Sequence, residues 1–160
     1  MKKKLVVMMV ALLTAITASA QFEKGKVYIG GSLTGLNMNY SGDQFRMGVQ
    51  ANAGYFVADD FLLHGIASYQ HDSGDDRFSV GAGGRYYIIQ NGLYLGVNCK
   101  YIHSGNYNDV MPGVEVGYAF FLSHTVTVEP AIYYDQSIKS HKDYSTIGLK
   151  LGVGLYLFKD

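Results

Sequence analysis

Tryptophan is absent from the 160 residues, cysteine occurs once and proline twice. A single Cys, Cys99, excludes an internal disulfide framework and any Cys-cluster zinc site. An excess of basic charge is also missing. The 13 Lys and Arg are matched by 13 Asp and Glu, which excludes a polybasic nucleic-acid binder. The five His, at 64, 71, 103, 124 and 141, have no metal-ligand spacing. No Gly-rich phosphate loop stands between a strand and a helix. No cofactor and no metal are therefore expected. Beyond residue 20 no stretch offers 18 consecutive apolar residues, so no transmembrane helix is expected there. That does not exclude a membrane, because a closed β-barrel also satisfies every backbone hydrogen bond internally.

What is present is glycine and tyrosine, 20 and 14 of them, within 48% apolar residues. Many glycines with many aromatics, and no low-complexity run, is a β-rich composition. The length bounds the chain to one domain.

Residues 1–20 read as a secretory signal peptide: a basic Lys2-Lys3-Lys4, an apolar Leu5 to Ala15, and Ala18-Ser19-Ala20 as an A-x-A cleavage site. The apolar stretch is shorter than the roughly 20 residues a spanning helix needs. Cleavage before Gln21 leaves 21–160 as the mature chain. It takes three basic residues and no acid, giving a net charge of −3. Gln at that position argues against a lipoprotein anchor.

Alternate residues then sort by polarity. From Phe45 one series runs Phe45, Met47, Val49, Ala51, Ala53, Tyr55, Val57, against Arg46, Gly48, Gln50, Asn52, Gly54, Phe56. The same period of two holds from Phe78, from Leu93, from Val110, from Val126 and from Ile147, six clean segments in all. Val27 to Tyr40 slips phase near Gly35, which a β-bulge explains. Phe61 to Asp72 alternates, but Leu62 and Ile66 blur its second face. The total is eight strands, long enough for the ~9–11 residues a tilted strand needs to cross hydrocarbon. Ala58-Asp59-Asp60, Gln90-Asn91-Gly92 and Ser123-His124 are short turns. Ser41 to Gln44, His71 to Arg77, Ser104 to Asn108 and Gln136 to Asp143 form a mostly longer, more polar set. Short turns at one end and longer loops at the other fit an outer-membrane barrel with periplasmic short turns.

Period alone does not say which face is outside, since a soluble barrel also alternates. In the six clean segments one face carries no charge. The other is rich in Gly and carries the charges. Gly only weakens a solvated strand surface, but it makes room inside a narrow eight-stranded barrel. Threaded up and down, Tyr40, Phe45, Tyr69, Phe78, Tyr101 and Tyr134 gather toward one end. Tyr55, Phe61, Tyr86, Tyr118 and Phe120 gather toward the other. Two aromatic belts around an apolar band suit lipid interfaces. The expected fold is all-β, an eight-stranded antiparallel up-and-down transmembrane β-barrel. It is placed in the outer membrane, as a monomer in contact with lipid and lipopolysaccharide.

Segments such as GVQANAGYFVADDF and STIGLKLGVGLYLF, with the signal peptide and eight long strands, resemble small outer-membrane barrels of the OmpX-like and OmpA-transmembrane-domain-like group. The resemblance covers nearly all of the mature chain. It implies insertion by the barrel-assembly machinery. Such barrels often end in an aromatic residue, whereas this chain ends Phe158-Lys159-Asp160, with Phe158 in the lumen phase.

Six charged residues are expected to point into the lumen within strands: Arg46, Arg85, Lys100, Glu115, Glu129 and Lys150. Buried charge without a partner is costly, so they should pair. Neighbouring strands suggest Lys100 with Glu115 and Glu129 with Lys150. The narrow barrel implies a packed lumen and not a wide pore. Some eight-stranded outer-membrane barrels modify lipid A, using His with Ser and an acid. His71-Asp72-Ser73 and His103-Ser104 are candidates for such chemistry, and polar loop residues are the plainer reading of both. Adjacent His and Ser on a strand face opposite sides, whereas a nucleophile and its base must share hydrogen-bond reach. No catalytic residue is therefore assigned. The expected role is a non-enzymatic one in envelope structure or surface contact through the loops. The alternatives are a lipid A-modifying enzyme, or a soluble secreted barrel holding an apolar ligand. Pro112 and Pro130 fall inside strands. Pro130 suggests a local bulge.

Overall fold

The computed structural model describes residues 22–39, 42–44, 47–71, 76–88, 92–139 and 145–157. They build eight long strands: β1 Val27–Asn39, β2 Met47–Ala58, β3 Phe61–His71, β4 Asp76–Tyr87, β5 Leu93–Ser104, β6 Tyr107–Tyr118, β7 Val126–Asp135 and β8 Thr146–Leu157. Gly42–Gln44 pairs with the end of β1, and Phe120–Phe121 extends β6 toward β7. Each strand pairs antiparallel with the next. β8 returns to β1 from Val27↔Leu157 to Asn39↔Thr146, so the sheet closes into a barrel without edges.

The phase slip in the first strand is real: the β1–β8 register shifts between Thr34 and Leu36. The blurred face of the fourth segment also resolves. Leu62, His64 and Ile66 all point inward and are buried, so the blur came from apolar residues on the lumen side. Two expectations change. The connection read as Ser104 to Asn108 shrinks to Gly105-Asn106, because β5 runs to Ser104 and β6 starts at Tyr107. Gly105 allows so tight a turn by taking φ 56, a region that other residues reach at a cost. Pro130 makes no bulge. The β6–β7 ladder stops at Gly117↔Ala131 and resumes in the same register at Phe120↔Val128. Pro130 lies in the gap, where its missing N–H breaks the ladder without adding a residue.

The faces divide as the composition argued. Large apolar side chains stand outward around the wall, with Leu33, Val97 and Leu151 among the most exposed at 61%, 63% and 58%. Tyr55, Phe61, Tyr69, Phe78, Tyr86, Tyr101 and Phe120 belong to the same exposed set. Arg85, Glu115, Glu129, Lys100 and Lys150 are buried inside. A protein folded in water would put these two sets the other way round. Tyr40, Phe45, Phe158 and residues 1–20 lie outside the described residues.

The ion-paired lumen as candidate functional site

Alternation on β4, β6, β7 and β8 brings Arg85, Glu115, Glu129 and Lys150 into one buried cluster. Arg85 is the hub. Its Nε donates to Glu115 Oε1 at 2.7 Å and its Nη1 to Glu129 Oε2 at 3.0 Å. Nη1 also donates to the Tyr28 hydroxyl at 3.1 Å. Lys150 donates to Glu115 Oε2, so both oxygens of Glu115 carry a cation. Glu129 is saturated in another way. The Tyr28 hydroxyl donates to Oε2, and the Tyr156 and Thr127 hydroxyls donate to Oε1, each at 2.8 Å. The guanidinium also lies 4.5 Å from the centre of the Tyr94 ring, in the range where a cation is attracted by the ring face. Every charge in the cluster has a partner and the carboxylates have several. This is the condition under which buried charge is tolerated.

Glycine makes the space. A Cβ on Gly96 would come 2.5 Å from Glu115 Cγ, and one on Gly117 would run into the Tyr94 ring. The Gly-rich lumen face is thus the complement of the large side chains that cross it.

Toward the short-turn end the cluster rests on a floor of aromatic rings. Phe22 comes from the segment ahead of β1 and is 1% exposed. It stacks on Tyr87 with centroids 4.0 Å apart and meets Tyr156 and Phe121 edge-on at 5.6 Å. Phe56 and Tyr28 complete the layer. The Phe22 carbonyl accepts from the Asp60 N–H at 2.7 Å, and the Tyr87 N–H donates to the Asp60 carbonyl at 2.8 Å. The first turn is thereby tied to the plug. Asp60 sits there at φ 62. Burial, and then Asp59 beside it, pushes its carboxyl above the usual carboxylate range.

Toward the loop end the interior is looser. Lys100 donates to Asp135 Oδ2 at 2.7 Å. A cavity of about 30 Å³ lies here, lined by Gln50, Gln70, Arg77 and Asp135 among others. A space of ~10–15 Å³ already admits a water molecule. Thr34 Oγ1 and Asp135 Oδ1, both in its lining, find no protein partner, which suits a hydrated compartment.

Five of the six predicted charges are therefore in the lumen, and Arg46 lies outside the described residues. The pairing differs from the neighbour-strand expectation. Glu115 pairs with Arg85 and Lys150 and not with Lys100. Glu129 pairs with Arg85 and not with Lys150. In so narrow a barrel, long side chains span the lumen to non-adjacent strands, so proximity along the wall does not set the partner. Asp135 and the tyrosines were missed as members. Their inward phase was the available signal, since Tyr87, Tyr94, Tyr156 and Asp135 all share the charged face.

Of the two His-Ser candidates, only His103-Ser104 lies wholly within the described residues, and it does not assemble. His71 Nδ1 contacts Asp76 Oδ1 at 2.7 Å on the exposed rim, and Asp72 and Ser73 lie outside the described residues. His103 Nδ1 contacts Asn108 Oδ1 at 2.5 Å, while Ser104 Oγ donates to the Asp76 carbonyl at 3.3 Å. His103 and Ser104 are thus engaged by different partners. Among the described residues no three His, Cys, Asp or Glu side chains are grouped to hold a metal.

No family model matches the chain, and no curated protein matches it by sequence. Solved structures do. The fold is that of small eight-stranded outer-membrane barrels. Neisserial surface protein A is similar, with 17% identity, 82% of this chain and 96% of that one covered, and a TM-score of 0.66. The N-terminal barrel domain of OprF from Pseudomonas aeruginosa gives 15% identity, 84% and 98% coverage, and 0.62. Ail, the attachment invasion locus protein of Yersinia pestis, gives 16%, 84% and 99%, and 0.53.

Proposed function

We propose that this chain is an outer-membrane barrel with a sealed lumen, working in envelope structure or surface contact and not as an enzyme. The observation that carries this is the inverted interior: a saturated ion cluster over an aromatic floor, inside a wall whose outer surface is apolar. The wall asks for lipid. The floor and the cluster fill the lumen near the short turns, which supports a packed lumen and not a wide pore. The loops carry what contact with the outside there is, and the attachment role named for Ail fits such a use of this fold. The chain is exported by a signal peptide cut before Gln21 and inserted by the barrel-assembly machinery. It stands in the membrane as a monomer among phospholipid and lipopolysaccharide. Placing Phe22 second in the mature chain lets it turn into the barrel mouth from a free end.

The outer-membrane fraction, run in SDS with and without boiling, tests this reading. A mobility shift on heating, with the protein found only in detergent extracts, is expected. A soluble protein without a shift would overturn it. In planar bilayers the pure protein should give no large, stable single-channel currents. The N-terminal sequence of the membrane form should begin at Gln21. Lipid A from cells with and without the protein should have the same mass spectrum, and a difference would revive the acyl-transfer alternative.

A further inference from the structure

The ladders on both sides of β1 begin at Val27. Residues 22–26 precede them and turn back across the barrel mouth. Gly25 makes the reversal at φ 97, a conformation that other residues reach at a cost. On its strand side the chain is fixed to β2. The Gly25 N–H donates to the Phe56 carbonyl, and the Phe56 N–H donates to the Lys26 carbonyl, each at 2.9 Å. The Lys26 N–H closes the turn on the Glu23 carbonyl at 3.4 Å. On the other side, residues 22–24 belong to no strand. The first turn holds them at two points. The Lys24 N–H donates to Asp59 Oδ1 at 2.9 Å, and the Phe22 carbonyl accepts from the Asp60 N–H.

These two points hold down the Phe22 ring. It meets Phe56 on β2, Tyr87 on β4, Phe121 beyond β6 and Tyr156 on β8, so one side chain spans the mouth. The ion cluster lies directly behind it, since the Tyr156 hydroxyl reaches Glu129. The latch is weaker than what it closes. The bond from Lys24 to Asp59 is exposed, where water can take either place. Asp60 sits at φ 62, a conformation that is costly for a residue with a Cβ. Its Oδ1 is buried without a hydrogen-bond partner, which is a further cost. A chain-end segment with few backbone bonds, outside every strand, belongs to the low-stability end of a fold.

We propose that residues 22–24 are a lid hinged at Gly25, which opens the short-turn end of the lumen while the eight-stranded wall stays paired. The wall needs no rearrangement for this. Every strand pairing lies beyond the hinge, and only the Phe22 ring and the two bonds to the first turn let go. When the lid is open, water reaches the ring layer and the ion cluster from the short-turn side. The loop-end compartment is untouched, because the cluster stands between the two. The lid therefore decides whether the Arg85 network is dry.

The test places a thiol in the ring layer and asks what exposes it. Ala119 is 1% exposed and belongs to the same buried cluster as Phe22. Ala119→Cys in a Cys99→Ser background is folded in detergent micelles, so that both ends are accessible, and treated with a small cationic methanethiosulfonate. Labelling should be slow with Phe22 in place. Phe22→Ala should speed it about a hundredfold, as loss of a buried ring's packing implies, while the heat-induced gel shift persists. Lys100→Met, which loosens the loop end instead, should leave the rate within about twofold, as expected for a distant site. If Ala119→Cys abolishes the gel shift, Ala131→Cys in the same cluster takes its place. Equal rates with Phe22 and with Ala at that position would overturn the lid. So would an acceleration by Lys100→Met as large as that by Phe22→Ala, because exposure would then follow general loosening of the barrel.

Discussion

The two halves of the lumen share one wall and differ in how their polar atoms are served. Near the short turns, Arg85, Glu115 and Glu129 are held by charges, tyrosines and a threonine, and the space below is filled by rings. Near the loops, the Lys100–Asp135 pair stands beside a small cavity, where Thr34 Oγ1 and Asp135 Oδ1 lack a protein partner. The half near the short turns is where this barrel keeps most of its stability. A saturated low-dielectric network is costly to break, because each lost partner strands a charge. A hydrated one is cheap to break, because water replaces the partner.

Substitutions can sharpen that contrast or break it, all read by urea unfolding in vesicles. The largest effect is expected for Arg85→Met, which leaves Glu115 and Glu129 without their shared cation. Removing one partner of a buried pair costs about 3–5 kcal/mol. Adding Glu129→Gln to that variant should recover part of the loss, which would show that stranded charge and not lost packing is responsible. Phe22→Ala should cost about 3 kcal/mol, at the lower end for a buried ring. It should leave the lumen network intact. Lys100→Met should cost less, about 1.5–3 kcal/mol, as expected for a hydrogen bond to a charged group beside a space that water can enter. If Lys100→Met cost as much as Arg85→Met, the two-compartment description would fail.

The smallest effect concerns Asp60. Its carboxyl is held above the usual range by burial, with Asp59 adding to it. An acid raised in the fold destabilises once the unfolded chain ionises, and it is neutral in both states at low pH. Asp60→Asn should therefore raise the unfolding midpoint at pH 7 and leave it unchanged at pH 3. A gain of equal size at both pH values would refute that cause.

Much of this was legible in the residues, for a physical reason. A strand's period of two maps directly onto inside and outside, so Phe45 to Val57 and Ile147 to Leu157 declare their faces without any tertiary information. The same rule gave the inward charges. It could not give their partners. Arg85 reaches Glu129 three strands away because the lumen is narrow, and that distance is a property of closure. Phe22 was out of reach as well. One aromatic residue ahead of a strand has no period, and its burial depends on the open mouth it enters. Pro130 was visible as a problem, yet a bulge and an unbulged gap look alike until the register on both sides is known.

On the proposed reading the uncharged face meets lipid and the charged face meets itself. Cys99 tests it most directly, since it is the single thiol and stands outward on β5. In folded protein in vesicles, a charged, membrane-impermeant maleimide should leave Cys99 unlabelled, and unfolding in urea should make it react. Asn98→Cys in a Cys99→Ser background, one residue along and facing the lumen, should leave the barrel folded by the gel shift. Rapid labelling of Cys99 in the native, vesicle-bound protein would contradict the account, because it would place the apolar face in water.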